Sequence, residues 1–106
     1  MLKDQRCVPC EGGTPPLDSA KSRELSKEVP DWQLQENKIS RTFKFKTFRQ
    51  AVGFVQKVAD VAESENHHPD FLVQYNKVTL TFWTHAIGGL SHNDFILAAK
   101  IDALPG

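Results

Sequence analysis

The chain has 106 residues, of which 40% are hydrophobic and 25% charged, values typical of one small soluble domain with a modest core. Thirteen Lys and Arg balance thirteen Asp and Glu, which argues against a nucleic-acid partner and against a polybasic membrane anchor. The sequence contains no signal-peptide pattern and no run of about 20 apolar residues, so no membrane segment is expected. Two cysteines cannot form a disulfide scaffold, and a cytoplasmic location is therefore expected.

The beginning of the chain differs in composition from the rest. It contains Pro or Gly at five positions and few apolar residues, so residues 1–17 are predicted to be a flexible N-terminal tail and residues 18–106 a single domain. A short helix is predicted from Asp18 to about Lys27, with Asp18 or Ser19 as its cap.

Alternation of apolar and polar residues predicts two pairs of strands. Residues 32–35 and 39–46 lie on either side of Asn37-Lys38, and the second of these segments alternates with a period of two. Residues 71–75 and 78–85 are predicted to form a β-hairpin around Asn76-Lys77.

Helical periodicity appears in two further segments. Apolar residues three and four positions apart predict an amphipathic helix to about Glu65, and Thr47 with Gln50 fits a capping box at its start. Ser91 with Asp94 fits a second capping box, which opens a C-terminal helix. The resulting order of elements predicts an α+β fold, a four-stranded antiparallel sheet with helices packed on one face.

Three histidines are the candidate functional residues. His67 and His68 lie where the long helix gives way to an extended segment, and His85 is predicted to end the strand over residues 78–85. The hairpin returns this strand end to the corner that carries the other two, so three imidazoles can line one pocket. Imidazole both gives and takes a proton near neutral pH, which suits an elimination or dehydration. Solvated loop histidines are an alternative interpretation. A metal site is less favoured, because no HxH or HxxxH spacing is present.

Cys7 and Cys10 form a CxxC motif, which is half of a zinc ribbon or a redox motif. No second CxxC follows, and Pro15-Pro16 stands where a thioredoxin-type site requires a helix. Free surface thiols are the favoured interpretation.

Four short motifs together resemble the pterin-4a-carbinolamine dehydratase family. The resemblance extends over nearly the whole chain, including Trp32, the alternating second strand and the long helix. The motifs are Glu63-x-x-Asn66-His67-His68-Pro69-Asp70, Tyr75-Asn76-x-Val78, Thr84-His85 and Gly89-Leu90-Ser91-x-x-Asp94.

This resemblance implies dehydration of a 4a-hydroxytetrahydropterin to the quinonoid dihydropterin, the step that recycles the pterin after aromatic amino acid hydroxylation. It implies that no metal and no organic cofactor is needed. The catalytic positions fall on His67, His68 and His85. The substrate-binding positions it implies are Pro69, Phe71, Thr84, Ala86, Ile87 and Asp94. Phe71 departs from the tryptophan of animal members and Trp83 from a small polar residue, which leaves the preferred pterin substituent open.

Two further functions and a self-associated state follow from the same resemblance. A regulatory binding or dimerisation role and a role in molybdopterin metabolism are the alternatives to pterin recycling, and an aromatic amino acid hydroxylase is a possible partner. The C-terminal helix is apolar on nearly every side, which predicts a homodimer or homotetramer, because one small sheet cannot cover such a helix.

Overall fold

The computed structural model describes residues 2–7, 15–35 and 37–104. The helices and strands within these ranges are α1 (Ser19–Ser26), β1 (Gln33–Leu34), β2 (Ile39–Lys44), α2 (Phe48–Glu65), β3 (Asp70–Gln74), β4 (Lys77–Phe82) and α3 (His92–Asp102). The four strands form one antiparallel sheet in the order β1-β2-β4-β3. The predicted α+β fold is confirmed. Among these helices, none is both long and apolar enough to cross a membrane.

One face of the sheet packs against the helices, as the alternation in β4 requires. Val78, Leu80 and Phe82 are buried on that face, whereas the threonines between them are only partly covered. In the register of the sheet, Ile39 of β2 lies opposite Phe82. The apolar stripe of α2, which includes Phe54, belongs to the same core. The core therefore lies between the sheet and the helices.

The ends of α2 are fixed by two local devices. The side chain of Thr47 accepts a hydrogen bond from the backbone N–H of Gln50, which is one half of the predicted capping box, whereas the Gln50 side chain accepts from the backbone N–H of Lys46 rather than of Thr47. At the other end the helix stops after Glu65, because Asn66 adopts the left-handed conformation with φ 52°. Asparagine tolerates this conformation better than most residues. The predicted end of the helix is confirmed, but Asn66 produces it rather than Pro69.

The hairpin differs in detail from the prediction. Its turn is formed by Tyr75 and Asn76, one residue earlier than expected, and Tyr75 has a positive φ of 55°. β4 ends at Phe82, so the prediction that His85 ends this strand is wrong. Thr84 instead forms an isolated bridge with Gly89, and the chain between them turns through a short 3₁₀ helix that starts at His85.

The beginning of the chain is packed against the domain. Leu2–Asp4 forms a 3₁₀ helix beside α3, and Leu2 is only 2% exposed within the core. This packing differs from the flexible tail expected for residues 1–17, because one well-placed leucine anchors a segment without periodic pattern. Residues 8–14, with most of the Pro and Gly residues that predicted the tail, lie outside the described ranges.

The apolar faces of α3 are covered within a single chain. The predicted capping box opens the helix, and the N–H of Ser91 donates to Asp94 Oδ2 at 2.9 Å. The buried residues of α3 share the core with the sheet, and the helix also contacts α2 and the 3₁₀ helix at Leu2–Asp4. A second chain is thus not needed to bury this helix, and the composition of α3 alone does not support self-association.

Candidate active site

A cleft of about 660 Å³ opens where α2 ends and β4 leaves the sheet. The structure brings all three predicted histidines to its walls. The predicted site residues that line it are His67, His68, Pro69, Thr84, His85 and Ala86. They come from two segments, the corner between α2 and β3 and the turn that follows β4. These segments are neighbours because β3 and β4 are paired in the sheet.

A buried carboxylate orients the first histidine. Asp94 is 0% exposed, and its Oδ1 lies 2.7 Å from Nε2 of His67. Its Oδ2 accepts hydrogen bonds from the hydroxyl of Thr84 and the backbone N–H of Ser91, each at 2.9 Å. The imidazole of His67 is 12% exposed and stacks on Phe82, with 6.0 Å between ring centres. His67 is therefore fixed between a carboxylate and the core, with one edge at the cleft.

The other two histidines lie at the exposed rim of the cleft. Nε2 of His68 is 2.7 Å from Oε2 of Glu63, an exposed pair on the outside of the helix end. The ring of His85 packs on Trp83 at 4.0 Å between ring centres, and the ammonium group of Lys38 lies 5.2 Å from the Trp83 ring. The three imidazoles thus line one cleft in three different environments.

Three of the residues assigned to substrate binding do not line the cleft. Asp94 lies behind His67, so it acts on the cleft through that ring rather than by direct contact. Phe71 is on the exposed strand β3, and Ile87 ends the 3₁₀ helix after His85. The family resemblance that assigned them gives positions along the chain and does not say which side chains face inward.

The N-terminal segment, residues 2–7, supplies a wall that the sequence did not predict. Arg6 and Cys7 both line the cleft. The backbone N–H of Cys7 donates to Glu65 Oε1 at 2.8 Å, and Nε of Arg6 lies 2.9 Å from Oε2 of the same carboxylate. Fifty-eight residues separate Cys7 from Glu65, and no local pattern reports such a contact.

Electrostatics favour the ionised form of this carboxylate. The hydrogen bond from Cys7 lowers the pKa of Glu65 below its ordinary value of 4.5; burial opposes this effect, and the positive charges of Arg6 and Lys100 reinforce it. The contact between the N-terminal segment and the end of α2 is therefore an ion pair with an additional backbone hydrogen bond.

No three His, Cys, Asp or Glu side chains within the described ranges are arranged to hold a metal ion. The CxxC motif cannot be assessed as a unit, since Cys10 lies outside those ranges.

Comparison with known proteins places this fold and cleft in context. A family model described as pterin 4 alpha carbinolamine dehydratase matches residues 15–104. A protein of Nitrosomonas eutropha is 53% identical over 104 residues, which cover 97% of this chain and 92% of that protein. A protein of Halorhodospira halophila is 48% identical over 105 residues, covering 97% and 96% of the two chains. Both bear the provisional name pterin-4-alpha-carbinolamine dehydratase.

A solved structure agrees with these relatives. The crystal structure of a transcriptional coactivator/pterin dehydratase from Brucella melitensis matches with a TM-score of 0.78 and 34% sequence identity, covering 83% of this chain and 96% of that one.

The fold and the cleft define a small dehydratase of the pterin-binding type, a class of hydro-lyases. The family match spans nearly all of the described domain, and the relatives share about half of their residues with it. The chain belongs to the pterin-4a-carbinolamine dehydratase family, and the family predicted from the four motifs is confirmed.

Proposed function

We propose that the protein dehydrates a 4a-hydroxytetrahydropterin by histidine acid–base catalysis in this cleft. The observation that carries the proposal is the pair formed by His67 and the buried Asp94, beside two exposed imidazoles on the same cleft. Family membership supports the reaction, and the geometry supports the assignment of its proton transfers to these side chains.

The reaction needs one proton donor and one proton acceptor. Loss of water breaks the bond between C4a and its hydroxyl oxygen, a proton joins that oxygen, and the proton on N5 leaves as the C4a–N5 double bond forms. Each turnover therefore leaves the donor without its proton and the acceptor with an additional one, and proton exchange with water restores both groups. Each positioned acid or base of this kind contributes typically about 10²–10⁴-fold in rate.

We assign the acceptor role to His67. Its Nε2 faces the carboxylate of Asp94, which holds the proton on that nitrogen and leaves Nδ1 as the nitrogen that accepts one. The carboxylate then stabilises the imidazolium that forms. We assign the donor role to one of the two exposed histidines, His68 or His85, which line the same cleft.

Stopped-flow measurement with chemically generated 4a-carbinolamine tests the proposal. We expect the wild-type protein to accelerate loss of the carbinolamine above its spontaneous rate, and His67→Gln to lose most of this acceleration. His92→Gln is the matched control, since His92 begins α3 and does not line the cleft. A wild-type rate equal to the spontaneous rate would exclude the proposed function.

The proposal includes the metabolic setting that the family resemblance implies. Carbinolamine is the pterin product of aromatic amino acid hydroxylation, and we infer that a hydroxylase supplies the substrate. With a reductant for the quinonoid dihydropterin present in excess, such as dithiothreitol, addition of the protein to a turning-over hydroxylase should raise the yield of hydroxylated amino acid per pterin. An unchanged yield would argue for another pterin-consuming setting, such as molybdopterin metabolism.

We infer that the protein self-associates through the sheet edge rather than through α3. β3 is an edge strand that pairs only with β4, and Phe71, Leu72 and Val73 are exposed along it. An apolar edge of this kind is a template for pairing with another strand, here from a second copy.

Light scattering tests this inference. It should report a dimer or larger species, and Leu72→Lys should shift the equilibrium toward the monomer. A wild-type monomer of about 12 kDa at micromolar concentration would contradict this inference.

A further inference from the structure

We propose that the N-terminal segment is part of the substrate site, and that Arg6 is a specificity residue for the polar substituent that a pterin carries at C6. This inference rests on the proposed function. It assigns to Arg6 the hydrogen bonding of hydroxyl oxygens on that substituent, and to Glu65 the positioning of Arg6.

The N-terminal segment forms part of the wall of the cleft. Arg6 and Cys7 face the same space as His67 and His85, although they come from the opposite end of the chain. The thiol of Cys7 lies 3.8 Å from the backbone carbonyl oxygen of Asn93, which also lines the cleft. The segment therefore spans from the end of α2 to the start of α3, as a wall does.

The position of Arg6 determines which part of a bound pterin it contacts. Its side chain is 76% exposed, so it lies at the rim, whereas His67, which we assign to the reacting atoms, lies deep in the cleft. C6 is bonded to N5, whose proton we assign to His67, so a substituent at C6 starts beside that imidazole and extends toward the rim where Arg6 lies. Nε of Arg6 faces Glu65, and the four N–H groups on its two terminal nitrogens extend beyond that pair. These groups are donors for hydroxyl oxygens.

Glu65 keeps the guanidinium at this place. The Glu65 side chain is 6% exposed, and its carboxylate binds both the Arg6 side chain and the Cys7 backbone, so the segment is held at two successive residues. Glu65 is also separated from His67 by a single residue, Asn66. The same helix end thus positions a reacting histidine and the residue that reads the substituent.

Equilibrium binding tests the proposal with two probes, 7,8-dihydropterins that carry either a 1,2-dihydroxypropyl or a methyl group at C6. We expect Arg6→Gln to weaken binding of the dihydroxypropyl compound by about fivefold to tenfold, the scale of one charge-assisted hydrogen bond at an exposed site. Binding of the methyl compound should weaken by less than about twofold, because its methyl group at C6 offers no hydrogen-bond acceptor. Lys3→Gln is the matched control, an exposed cation of the same segment that does not line the cleft.

A double-mutant cycle tests the positioning role of Glu65. Glu65→Gln keeps an acceptor for the Cys7 N–H and loses the ion pair with Arg6. It should therefore weaken binding of the dihydroxypropyl compound less than Arg6→Gln does. The double variant should bind no more weakly than Arg6→Gln alone, because both changes remove one contact. Additive losses would show that Glu65 acts on binding by another route and would overturn its role.

Two results would overturn the proposal for Arg6. One is an Arg6→Gln variant that binds both pterins as the wild type does, and the other is an equal loss for both. Either result leaves the proposed function standing if the wild type still dehydrates carbinolamine. A wild type that binds neither pterin would overturn both together.

Discussion

The hydroxyl of Thr84 donates to Oδ2 of Asp94 at 2.9 Å, and this contact joins the two halves of the cleft. Thr84 immediately precedes His85, while Asp94 orients His67. The side chains of Thr84 and Ser91 are 2.7 Å apart, which ties the start of α3 to the same point. The position of His85 is thus linked to the orientation of His67 through one buried polar network.

Replacement of His85 separates catalysis from folding. His85 is exposed, so His85→Ala should change the free energy of unfolding by no more than about 1 kcal/mol. Dehydration should slow by one to several orders of magnitude, on the scale of about 10²–10⁴-fold for a positioned proton-transfer group. Urea unfolding and stopped-flow turnover measure the two effects. A folded variant with wild-type turnover would remove His85 from the mechanism.

Asp94→Asn should invert the tautomer of His67. The backbone N–H of Ser91 is a fixed donor, so the amide oxygen must stay on its side and the amide NH₂ must face Nε2 of His67. Nε2 then accepts a hydrogen bond from this amide, and Nδ1 carries a proton of its own. Nδ1 is therefore unable to accept the proton from N5 of the pterin. We expect kcat to fall by about 10²-fold or more and the free energy of unfolding to drop by about 1–3 kcal/mol.

Asp102→Asn is the matched control for that experiment. Its carboxylate accepts hydrogen bonds from Trp32 and Arg41 outside the cleft, so it tests a paired aspartate without a catalytic histidine. Equal loss of kcat in the two variants would contradict the assignment of Asp94.

Burial of Leu2 in the core should contribute measurably to the free energy of unfolding of the protein. The lack of a periodic pattern predicts that residues 1–15 can be removed with little effect, whereas burial of Leu2 predicts a cost. Leu2→Ala should lower the free energy of unfolding by about 2 kcal/mol, the low end for a buried leucine. Lys3→Ala, an exposed neighbour, should change it by less than about 0.5 kcal/mol. Denaturant unfolding of the two variants distinguishes a packed segment from a tail.

Acid should release the N-terminal segment. The pKa of Glu65 is lowered in the folded protein, so its ionised form contributes stability above the ordinary value of 4.5, and this contribution is lost as pH falls through the folded pKa. The free energy of unfolding of the wild type should therefore exceed that of Glu65→Gln at pH 7, and the difference should shrink below pH 4.5. A difference that stays constant down to pH 3 would show that the charge of Glu65 does not contribute.

Local signals predicted the elements well, because they depend on neighbouring residues. Thr47 with Gln50 and Ser91 with Asp94 start the two main helices where expected. The hairpin turn moved by one residue because Tyr75 takes a positive φ, which is rare for a bulky side chain and has no sequence signature.

Contacts between distant residues could not be predicted in this way. Even the bridge between Thr84 and Gly89, only five positions apart, was not predicted. Residues 83–85 continue the alternation of β4, although the strand ends at Phe82. The contact of Glu65 with Cys7 joins segments whose proximity only the folded chain produces. Motif spacing therefore located the histidines, while the wall opposite them required the three-dimensional structure.

The assembly of the cleft from Arg6, the 65–69 corner, the turn after β4 and the start of α3 has a consequence for folding kinetics. These parts are distant along the chain, and closing such long loops is slow relative to forming a helix or a hairpin. During refolding, helical signal should therefore appear before pterin affinity does. The contact proposed between Arg6 and the pterin substituent therefore forms only after the first residues of a newly made chain have met the end of α2.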